Sequence, residues 1–242
     1  MDKLRALVAA AGRGSRAGLP YPKTLHPVQG KPILLRIMEL LAPYDATPTV
    51  IVSPDGYALV ADCLGANGKL AHLVVQPTPL GMGDAVLRFE ESPAFVDTEH
   101  VLLLWGDIPL IQPQTVASIV EAHFSHDNDL TMATRVVESA YTVVVRDGAG
   151  RIEELRETRE IGISEPSPGE RDVGLFVFRK QAAFDALRDE VPERLGRVTG
   201  EHGFLYVVGH MIRKGCRVEG LPIATELDLV SLNSLGDVAG YD

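Results

Sequence analysis

Cysteine is scarce in this sequence of 242 residues, which contains only Cys63 and Cys216. The two lie far apart and in no metal-binding spacing, so we predict neither a disulfide framework nor a cysteine-ligated metal. No apolar run approaches the about 20 residues that a membrane span needs. The N-terminal segment lacks a signal-peptide layout, because glycines and arginines follow its short apolar run at once. We therefore expect a cytoplasmic protein without a membrane partner.

An excess of basic residues is also missing. The 33 acidic residues outnumber the 23 lysines and arginines, and the formal net charge is −10. Such a surface repels phosphate backbones, so we expect no nucleic acid partner. A small polyanionic ligand would need a local basic site, or magnesium, within this negative field.

The first half of the chain alternates between apolar runs and segments of helical period. The predicted strands are Leu4–Ala11, Thr49–Ser53, Ala71–Val75, His100–Trp105 and Asp129–Val136. The first predicted helix begins at Pro32, and the others are Gly56–Leu64, Gly83–Glu91 and Thr115–Phe124. This alternation indicates βαβ units. We predict a Rossmann-like α/β fold with a mainly parallel, mixed sheet and helices on both faces.

The second half of the chain has a different pattern. Two alternating segments around Asp147-Gly148 predict a β-hairpin, and the polar segment Ile161–Glu170 predicts a loop. A strand at Gly174–Phe178, a helix at Lys180–Leu187 and an apolar helical stripe from Phe204 to Ile212 follow. We predict a single domain over residues 1–242, with a nucleotide-binding part at 1–135. The part at 136–242 would bind the acceptor and include a C-terminal metal-ligand segment.

A glycine-rich loop after the first predicted strand is the main candidate site. Gly12 and Gly14 can adopt positive φ and direct successive N–H groups at phosphate oxygens. Arg16 and Lys23 add the positive charge that a triphosphate needs. The long segment Gly12–Gly30 is otherwise predicted to be irregular, which in a compact domain usually indicates function.

Other interpretations of this loop stay open on the motif alone. It is not a P-loop, because no G-x-x-x-x-G-K-[ST] occurs. As a G-x-G-x-x-G fingerprint it matches only in the looser form with Ala17, and Pro20 and Pro22 occupy the start of the required helix. A surface turn with two arginines is the plain structural alternative.

The stretch AAGRGSRAGLPYPKTLHPVQGKPIL, residues 10–34, resembles the nucleotidyltransferases that activate sugar 1-phosphates. It is most similar to their N-acetylglucosamine-1-phosphate uridylyltransferase domains, and the resemblance implies the nucleotide-diphospho-sugar transferase fold. It also implies a nucleoside triphosphate and a phosphorylated sugar as substrates, and Mg²⁺ as the cofactor. The acetyltransferase β-helix that follows this domain in the bifunctional relatives is expected to be absent. A homo-oligomer stays open.

The resemblance assigns roles to residues in the family's order along the chain. Catalytic roles fall on Arg16, which would neutralise the pyrophosphate, and on Lys23, which would stabilise the α-phosphoryl group. The implied nucleotide-binding residues are Ala10, Ala11, Gly12, Gly14, Ser15, Gln76, Gly81, Met82 and Gly106. The implied ligands of Mg²⁺ are Asp107 and Asn233, with Asp228 as the alternative if the C-terminal register differs.

Contacts with the sugar phosphate are implied for Trp105, Glu157 and Asp172. Asp172 stands where relatives commonly have asparagine, which puts recognition of an N-acetyl group in doubt. His202 and Gly203 replace tyrosines that the uridylyltransferases have after their Gly-Glu pair. Beyond residue 140 the resemblance is weaker than before it.

The predicted reaction is transfer of a nucleotide, UMP or dTMP, from the triphosphate to a sugar 1-phosphate with release of pyrophosphate. Catalysis would depend on positioning and electrostatics, without a covalent enzyme intermediate. One alternative is a cytidylyl- or guanylyltransferase that acts on another phosphorylated sugar or polyol. Another is a non-catalytic nucleotide-binding subunit, and a dehydrogenase is the most distant.

Overall fold

A computed structural model describes residues 3–12, 18–162 and 167–241, without the side chains of residues 159 and 161. The strands are β1 (Leu4–Ala9), β2 (Pro27–Val28), β3 (Lys31–Pro32), β4 (Thr49–Val52), β5 (His72–Val75), β6 (His100–Trp105), β7 (Leu130–Ala140), β8 (Thr142–Arg146), β9 (Ile152–Glu157), β10 (Ser167–Arg179) and β11 (Val218–Leu221). The α-helices are α1 (Ile33–Leu41), α2 (Tyr57–Ala66), α3 (Met82–Leu87), α4 (Pro113–Ser125), α5 (Lys180–Arg188) and α6 (Tyr206–Arg213).

The chain divides into two compact units. Unit 1 comprises Met1–Pro79, Ala85–Pro113 and Glu226–Asp242, and unit 2 comprises Leu80–Asp84 and Gln114–Thr225. The single domain predicted from the sequence, with its division near residue 135, stays a prediction.

Unit 1 contains a four-stranded sheet in the order β6-β1-β4-β5, in which every neighbouring pair is parallel. Strands β1, β4 and β6 are apolar along almost their whole length and are buried. Burial on both faces is typical of parallel sheets that helices cover, and it explains why these strands lack an alternating pattern.

The described residues 18–32, which precede α1, are more ordered than we predicted. They contain a 3-10 turn at Lys23–Leu25 and a tight hairpin of β2 and β3. The hairpin turn has positive φ at Gln29 (51°) and Gly30 (72°), as a type I′ turn requires. Helix α1 begins at Ile33, one residue later than predicted, because Pro32 keeps an extended ψ of 138° as its N-cap.

Unit 2 contains a three-stranded sheet in the order β11-β7-β10. Strand β11 is parallel to β7 and β10 is antiparallel to it. The predicted hairpin is confirmed as the antiparallel pair β8–β9. Around Phe204, the rings of Phe176 and Phe178 lie with centroids 5.2 and 6.0 Å away and form part of the core.

In this second half, one prediction was wrong in part and one strand was missed. The C-terminal part of the predicted loop Ile161–Glu170 begins β10 instead, because Ser167 and Gly169 pair with residues of β7. Strand β11 was not predicted, since it is four residues long and contains Gly220. The predicted α/β class is confirmed, because the parallel sheet of unit 1 and the mixed sheet of unit 2 make a mainly parallel, mixed arrangement.

Candidate active site

The carboxyl ends of the parallel strands in unit 1 carry the first group of predicted site residues. Ala10 follows β1, Gln76 follows β5, and Gly106 and Asp107 follow β6. The backbone N–H groups of Ala10 and Gln76 still donate to the neighbouring strand, at 2.9 and 2.8 Å. Open α/β sheets bind ligands outside this edge. The structure therefore places these four residues where the fold favours a ligand.

Gly106 lies against the end of β1 with no room for a side chain. A Cβ at this position would be 2.7 Å from Cβ of Ala10, and the Gly106 N–H donates to Ala9 O at 2.9 Å. Glycine is therefore required by packing, whatever ligand binds nearby. The preceding Trp105 pairs with Ala9 in the sheet and is partly buried.

Lys23 is held close to this edge by its local backbone. Leu25 N–H donates to Pro22 O at 2.9 Å and closes the 3-10 turn. Pro22 packs on the turn after β4, where a Cβ on Gly56 would lie 2.8 Å from Pro22 Cγ. Nζ of Lys23 then lies 3.7 Å from Oδ2 of Asp107. The structure thus brings together the predicted catalytic lysine and the predicted metal ligand.

The ion pair between Lys23 and Asp107 is largely shielded from water. The two side chains are 13% and 29% exposed. Burial raises the pKa of the Asp107 carboxyl above its ordinary value, and the positive charge of Lys23 opposes this shift. Charge interactions are stronger in such a partly desolvated position than at an open surface.

The C-terminal segment of unit 1 passes directly beside Asp107. Leu232 N–H donates to the Asp107 carbonyl oxygen at 2.9 Å. The next residue, Asn233, is exposed and donates from Nδ2 to Ser231 Oγ at 3.0 Å. Its Oδ1 accepts no hydrogen bond from the part of the chain that the structure describes. An amide oxygen therefore remains for a ligand one residue beyond the contact with Asp107.

Asp228, the alternative metal ligand, has a different environment. It is 1% exposed, and its Oδ1 accepts the backbone N–H of Gln112 at 2.6 Å. This bond fastens the C-terminal segment to the loop before α4. The geometry favours Asn233 over Asp228 as the residue that could reach a ligand.

Part of the predicted phosphate loop is not described. Gly14, Ser15 and Arg16 lie outside the described residues. Ala11 is buried at the end of β1, whereas Gly12 is exposed and a Cβ there would meet nothing within 4 Å. The roles assigned to this loop stay predictions.

Gly81 and Met82 belong to unit 2, where Gly81 lies against the backbone of His202. Gly81 has a φ of 115°, and a Cβ there would be 2.4 Å from His202 O. His202 N–H donates to Leu80 O at 2.6 Å, and Gly83 N–H donates to His202 O at 2.9 Å. The protein's own packing therefore requires glycine here, and the predicted contact of Gly81 with a base stays a prediction.

Glu157 and Asp172 also belong to unit 2. Glu157 ends β9 and is partly buried. Asp172 is 1% exposed, and its carboxylate oxygens accept from Thr142 Oγ1 at 2.6 Å and from Gly174 N–H at 2.9 Å. These bonds give Asp172 a role in joining β10 to β8. Its predicted contact with the sugar stays a prediction.

The sequence analysis missed the contacts that position the catalytic candidates. Gly56 supports Pro22, and Leu232 reaches Asp107, although neither carries a functional side chain. A glycine at a helix start could have signalled close packing. No pattern identifies a backbone contact between distant segments.

Within ranges 3–12, 18–162 and 167–241, no group of three or more His, Cys, Asp or Glu side chains is arranged to hold a metal ion. The predicted ligands Asp107 and Asn233 are two residues, one of them an amide, so they fall outside this definition. No helix in those ranges combines the length and the apolar character needed to cross a membrane.

Open α/β sheets bind ligands outside the carboxyl ends of their strands. Here this edge carries the Lys23–Asp107 pair and the closely packed Gly106. The model of the MobA-like NTP transferase domain matches residues 6–165. The chain belongs to this family of nucleotidyltransferases.

Relatives with a reviewed description include bifunctional proteins called GlmU. The protein from Caldanaerobacter subterraneus subsp. tengcongensis is 33% identical over 180 residues, which are 73% of this chain and 38% of that protein. The protein from Pelotomaculum thermopropionicum is 28% identical over 240 residues, which are 98% of this chain and 50% of that protein. The chain thus spans half or less of the length of these relatives.

Among solved structures, the chain is similar to a Bacillus anthracis protein assigned as a glucose-1-phosphate thymidylyltransferase, in complex with a sucrose. The TM-score is 0.72 at 18% identity, over 90% of this chain and 86% of that chain. At this identity the likeness shows the shared fold, which confirms the predicted fold class.

Proposed function

We propose that this protein transfers a nucleotide, UMP or dTMP, from a nucleoside triphosphate to a sugar 1-phosphate and releases pyrophosphate. The observation that carries the proposal is the contact of Lys23 Nζ with Asp107 Oδ2, at 3.7 Å, where the parallel strands of unit 1 end. In a chain of the NTP transferase family, a shielded cation beside a carboxylate is suited to bind a triphosphate and its counter-ion.

Mg²⁺ suits the oxygen donors at this place. Mg²⁺ prefers carboxylate and other oxygen ligands, and it usually binds one or two protein groups together with substrate phosphates. The Asp107 carboxylate and the open Oδ1 of Asn233 provide such groups, and the Leu232–Asp107 bond ties their segments together. When bound, the ion would supply positive charge that neutralises phosphate oxygens.

The chain's own residues would then hold and orient the reacting groups. An oxygen of the acceptor phosphate attacks the α-phosphorus, and the bond to pyrophosphate breaks. Lys23 stabilises the charge that develops on the α-phosphoryl group, and Arg16 is proposed to neutralise the departing pyrophosphate. No general base is required, because a phosphate monoester is already anionic at neutral pH.

Two features support a uracil or thymine nucleotide. The resemblance of residues 10–34 to N-acetylglucosamine-1-phosphate uridylyltransferase domains implies uracil, and a solved structure with the same fold is assigned as a thymidylyltransferase. Gln76 follows β5 at the ligand edge, and a side-chain amide can pair with both an N–H and a carbonyl of a base. Cytidylyl or guanylyl transfer to another phosphorylated compound is the runner-up, and a non-catalytic subunit is the alternative of another class.

A pyrophosphate-release screen tests the proposal. UTP, dTTP, CTP, GTP and ATP are crossed with a panel of sugar 1-phosphates and phosphorylated polyols, with Mg²⁺ present. We expect release only with UTP or dTTP and a sugar 1-phosphate. Release with CTP or GTP, and not with UTP or dTTP, would instead support cytidylyl or guanylyl transfer. Binding of UTP without pyrophosphate release from any pair would support the non-catalytic subunit.

A further inference from the structure

The turn that carries Lys23 has an aromatic side chain at each end. Tyr21 and His26 flank Pro22 and the 3-10 turn Lys23–Leu25, and both side chains are partly buried. The Tyr21 hydroxyl and Nδ1 of His26 lie 3.1 Å apart, which is a hydrogen-bond distance, and the imidazole tautomer decides which group donates. The two rings are nearly parallel, at an angle of 14° with centroids 6.4 Å apart. A side-chain contact therefore spans the turn.

His26 is the anchored member of this pair. Its backbone N–H donates to Lys23 O at 2.9 Å, and its carbonyl oxygen accepts the N–H of Ile33 at 3.0 Å. Ile33 is the first residue of α1 and is buried. The first N–H groups of a helix lack an intrahelical partner, so this bond also satisfies a donor of α1. His26 thus connects the turn to a buried helix, and the Tyr21 hydroxyl reaches that anchor.

Thr24, the buried residue of the turn, does not fasten it through its hydroxyl. Thr24 is 1% exposed, and Oγ1 has no hydrogen-bond partner among the residues that the structure describes. Pro22, the N-cap, forms no side-chain hydrogen bond either. The turn therefore depends on its backbone bonds, on the packing of Pro22 and on the contact between Tyr21 and His26.

The position of the Lys23 ammonium depends on this turn. Nζ lies 3.7 Å from Oδ2 of Asp107, which is close enough for charge attraction but longer than a normal hydrogen bond. Asp107 therefore does not fix the ammonium by itself. A lysine side chain is a flexible four-carbon stem, so the backbone that holds its Cα sets the region that Nζ can reach. In a site that works by positioning, a displacement of about 1 Å costs up to about 100-fold in rate.

We propose that Tyr21 and His26 are positioning residues for Lys23, and that their contact across the turn holds the ammonium where it meets the phosphates of a nucleoside triphosphate. This inference rests on the proposed function, in which Lys23 stabilises the α-phosphoryl group. It assigns the two side chains an effect through Lys23, and not through a contact of their own with a substrate. Loss of their contact should therefore matter only while Lys23 is present.

Tyr21→Phe tests the inference, because it removes the hydroxyl and keeps the ring. We expect kcat/KM for the triphosphate, measured by pyrophosphate release, to fall by roughly three- to tenfold, as the loss of one hydrogen bond implies. Tyr44→Phe is the matched control in unit 1, because Tyr44 is also partly buried and its hydroxyl forms no hydrogen bond with the described residues. Unchanged kcat/KM in Tyr21→Phe would overturn the inference.

A double-mutant cycle separates positioning from a general structural effect. Tyr21→Phe is introduced into the unaltered protein and into Lys23→Ala, and kcat/KM is measured for each protein of the cycle. If Tyr21 acts through Lys23, its effect should shrink to less than about twofold once the ammonium is absent. An equal fold-change in both backgrounds would overturn the inference, because Tyr21 would then act independently of Lys23.

Variants of His26 provide a second test. His26→Asn keeps a polar atom at the δ position, whereas His26→Leu removes it, and both keep the backbone bonds to Lys23 and Ile33. We expect His26→Asn to retain more of kcat/KM than His26→Leu. Equal losses would overturn the inference, because the hydrogen bond to Tyr21 would not be the cause. If His26→Leu does not fold in a denaturant-unfolding measurement, the cycle with Tyr21→Phe still decides.

If no pair of substrates releases pyrophosphate, the proposed function fails separately. The same cycle is then measured as the Kd of UTP in the presence of Mg²⁺, by calorimetric titration. Tyr21→Phe should weaken UTP binding by roughly threefold or more in the unaltered protein, and not in Lys23→Ala. Equal weakening in both backgrounds, or none in either, would overturn the inference.

Discussion

Lys23 and Asp107 come together because two local structures end at the same edge of the sheet. Asp107 follows β6 directly, so the register of the parallel strands determines its position. Lys23 depends on the 3-10 turn and on Pro22, which packs against the turn at Gly56. The backbone therefore prearranges the two charges.

Replacement of Lys23 by alanine should slow turnover strongly. One charge-assisted contact contributes about 1.5–3 kcal/mol, which corresponds to a loss of roughly one to two decades in kcat/KM. Pyrophosphate release under initial-rate conditions measures the effect. Lys31→Ala is the control, because Lys31 is an exposed lysine paired with Glu39. A Lys23→Ala enzyme with near-normal kcat/KM would remove Lys23 from the mechanism.

The two candidates for the second metal ligand should respond differently to substitution. Asn233→Ala should raise the Mg²⁺ concentration for half-maximal activity by roughly tenfold or more, with stability unchanged. Asp228→Ala should lower the free energy of unfolding by about 1–3 kcal/mol, because the partly buried N–H of Gln112 loses its acceptor.

Mg²⁺ titrations and denaturant unfolding of both variants separate the two roles. Asn67→Ala serves as the control, since Asn67 is an exposed asparagine at the end of α2. The opposite pattern, with Mg²⁺ dependence altered only in Asp228→Ala, would assign the ligand to Asp228.

At the level of elements, the start of α3 shows how one motif can serve packing as well as binding. The segment Leu80–Asp84 is joined to His202 by two backbone hydrogen bonds, and Gly81 and Gly83 leave room for that approach. The sequence suggested these glycines because they resemble a base-binding motif. The structure adds a second reason for glycine, the close approach of the His202 backbone, which holds without any ligand.

Substitution of Gly81 by alanine should therefore destabilise the protein. Its φ of 115° and the 2.4 Å approach of a Cβ to His202 O both oppose a side chain. Strain and overpacking of this kind cost roughly 1–3 kcal/mol each. Gly68→Ala is the matched control, because Gly68 also has positive φ (61°) but has space around it. Urea unfolding should give a larger decrease in the free energy of unfolding for Gly81→Ala than for Gly68→Ala. Equal decreases would show that the His202 backbone can shift to accommodate a Cβ at little cost.

Elements with a strong period were predictable, and elements stabilised by distant partners were not. Strand β6 was predicted with its observed bounds, and the helix that begins near Pro32 was displaced by a single residue. The start of β10 is polar, and it is a strand because Glu170 bonds Arg146 and Thr134 from two other strands. No local propensity contains that information.

At the scale of the whole molecule, the sequence indicated candidate residues that the fold brings together, but not the contacts that support them. The motif order proposed Lys23 and Asp107 for the site, and the fold positions both at the carboxyl edge of the parallel strands. The burial of Arg171 and Asp172 in strand β10 was not predictable, because neighbouring charged residues in a polar stretch give no sign of burial.

The stability of the molecule should depend on pH through His202. Burial lowers the pKa of His202 below its ordinary value of 6.5, and the positive charge of Arg194 acts in the same direction. As the pH falls below about 6.5, the unfolded chain takes up a proton that the folded protein excludes. Stability is therefore fully present above that pH and decreases below it. Denaturant unfolding at several pH values between 8 and 5 would measure the decrease.

His202→Gln should flatten this dependence, because glutamine does not titrate. Glu170 is a second group with a shifted pKa. Burial acts to raise the pKa of the Glu170 carboxyl, but hydrogen bonds from Arg146 and Thr134 outweigh burial and hold this pKa below its ordinary value of 4.5. The loss of stability that Glu170 causes therefore begins only at lower pH, and it should persist in the variant. A variant that destabilises the protein equally at every pH would show that His202 acts through packing alone. A reduced slope confined to the range just below pH 6.5 would show that protonation of His202 is coupled to unfolding.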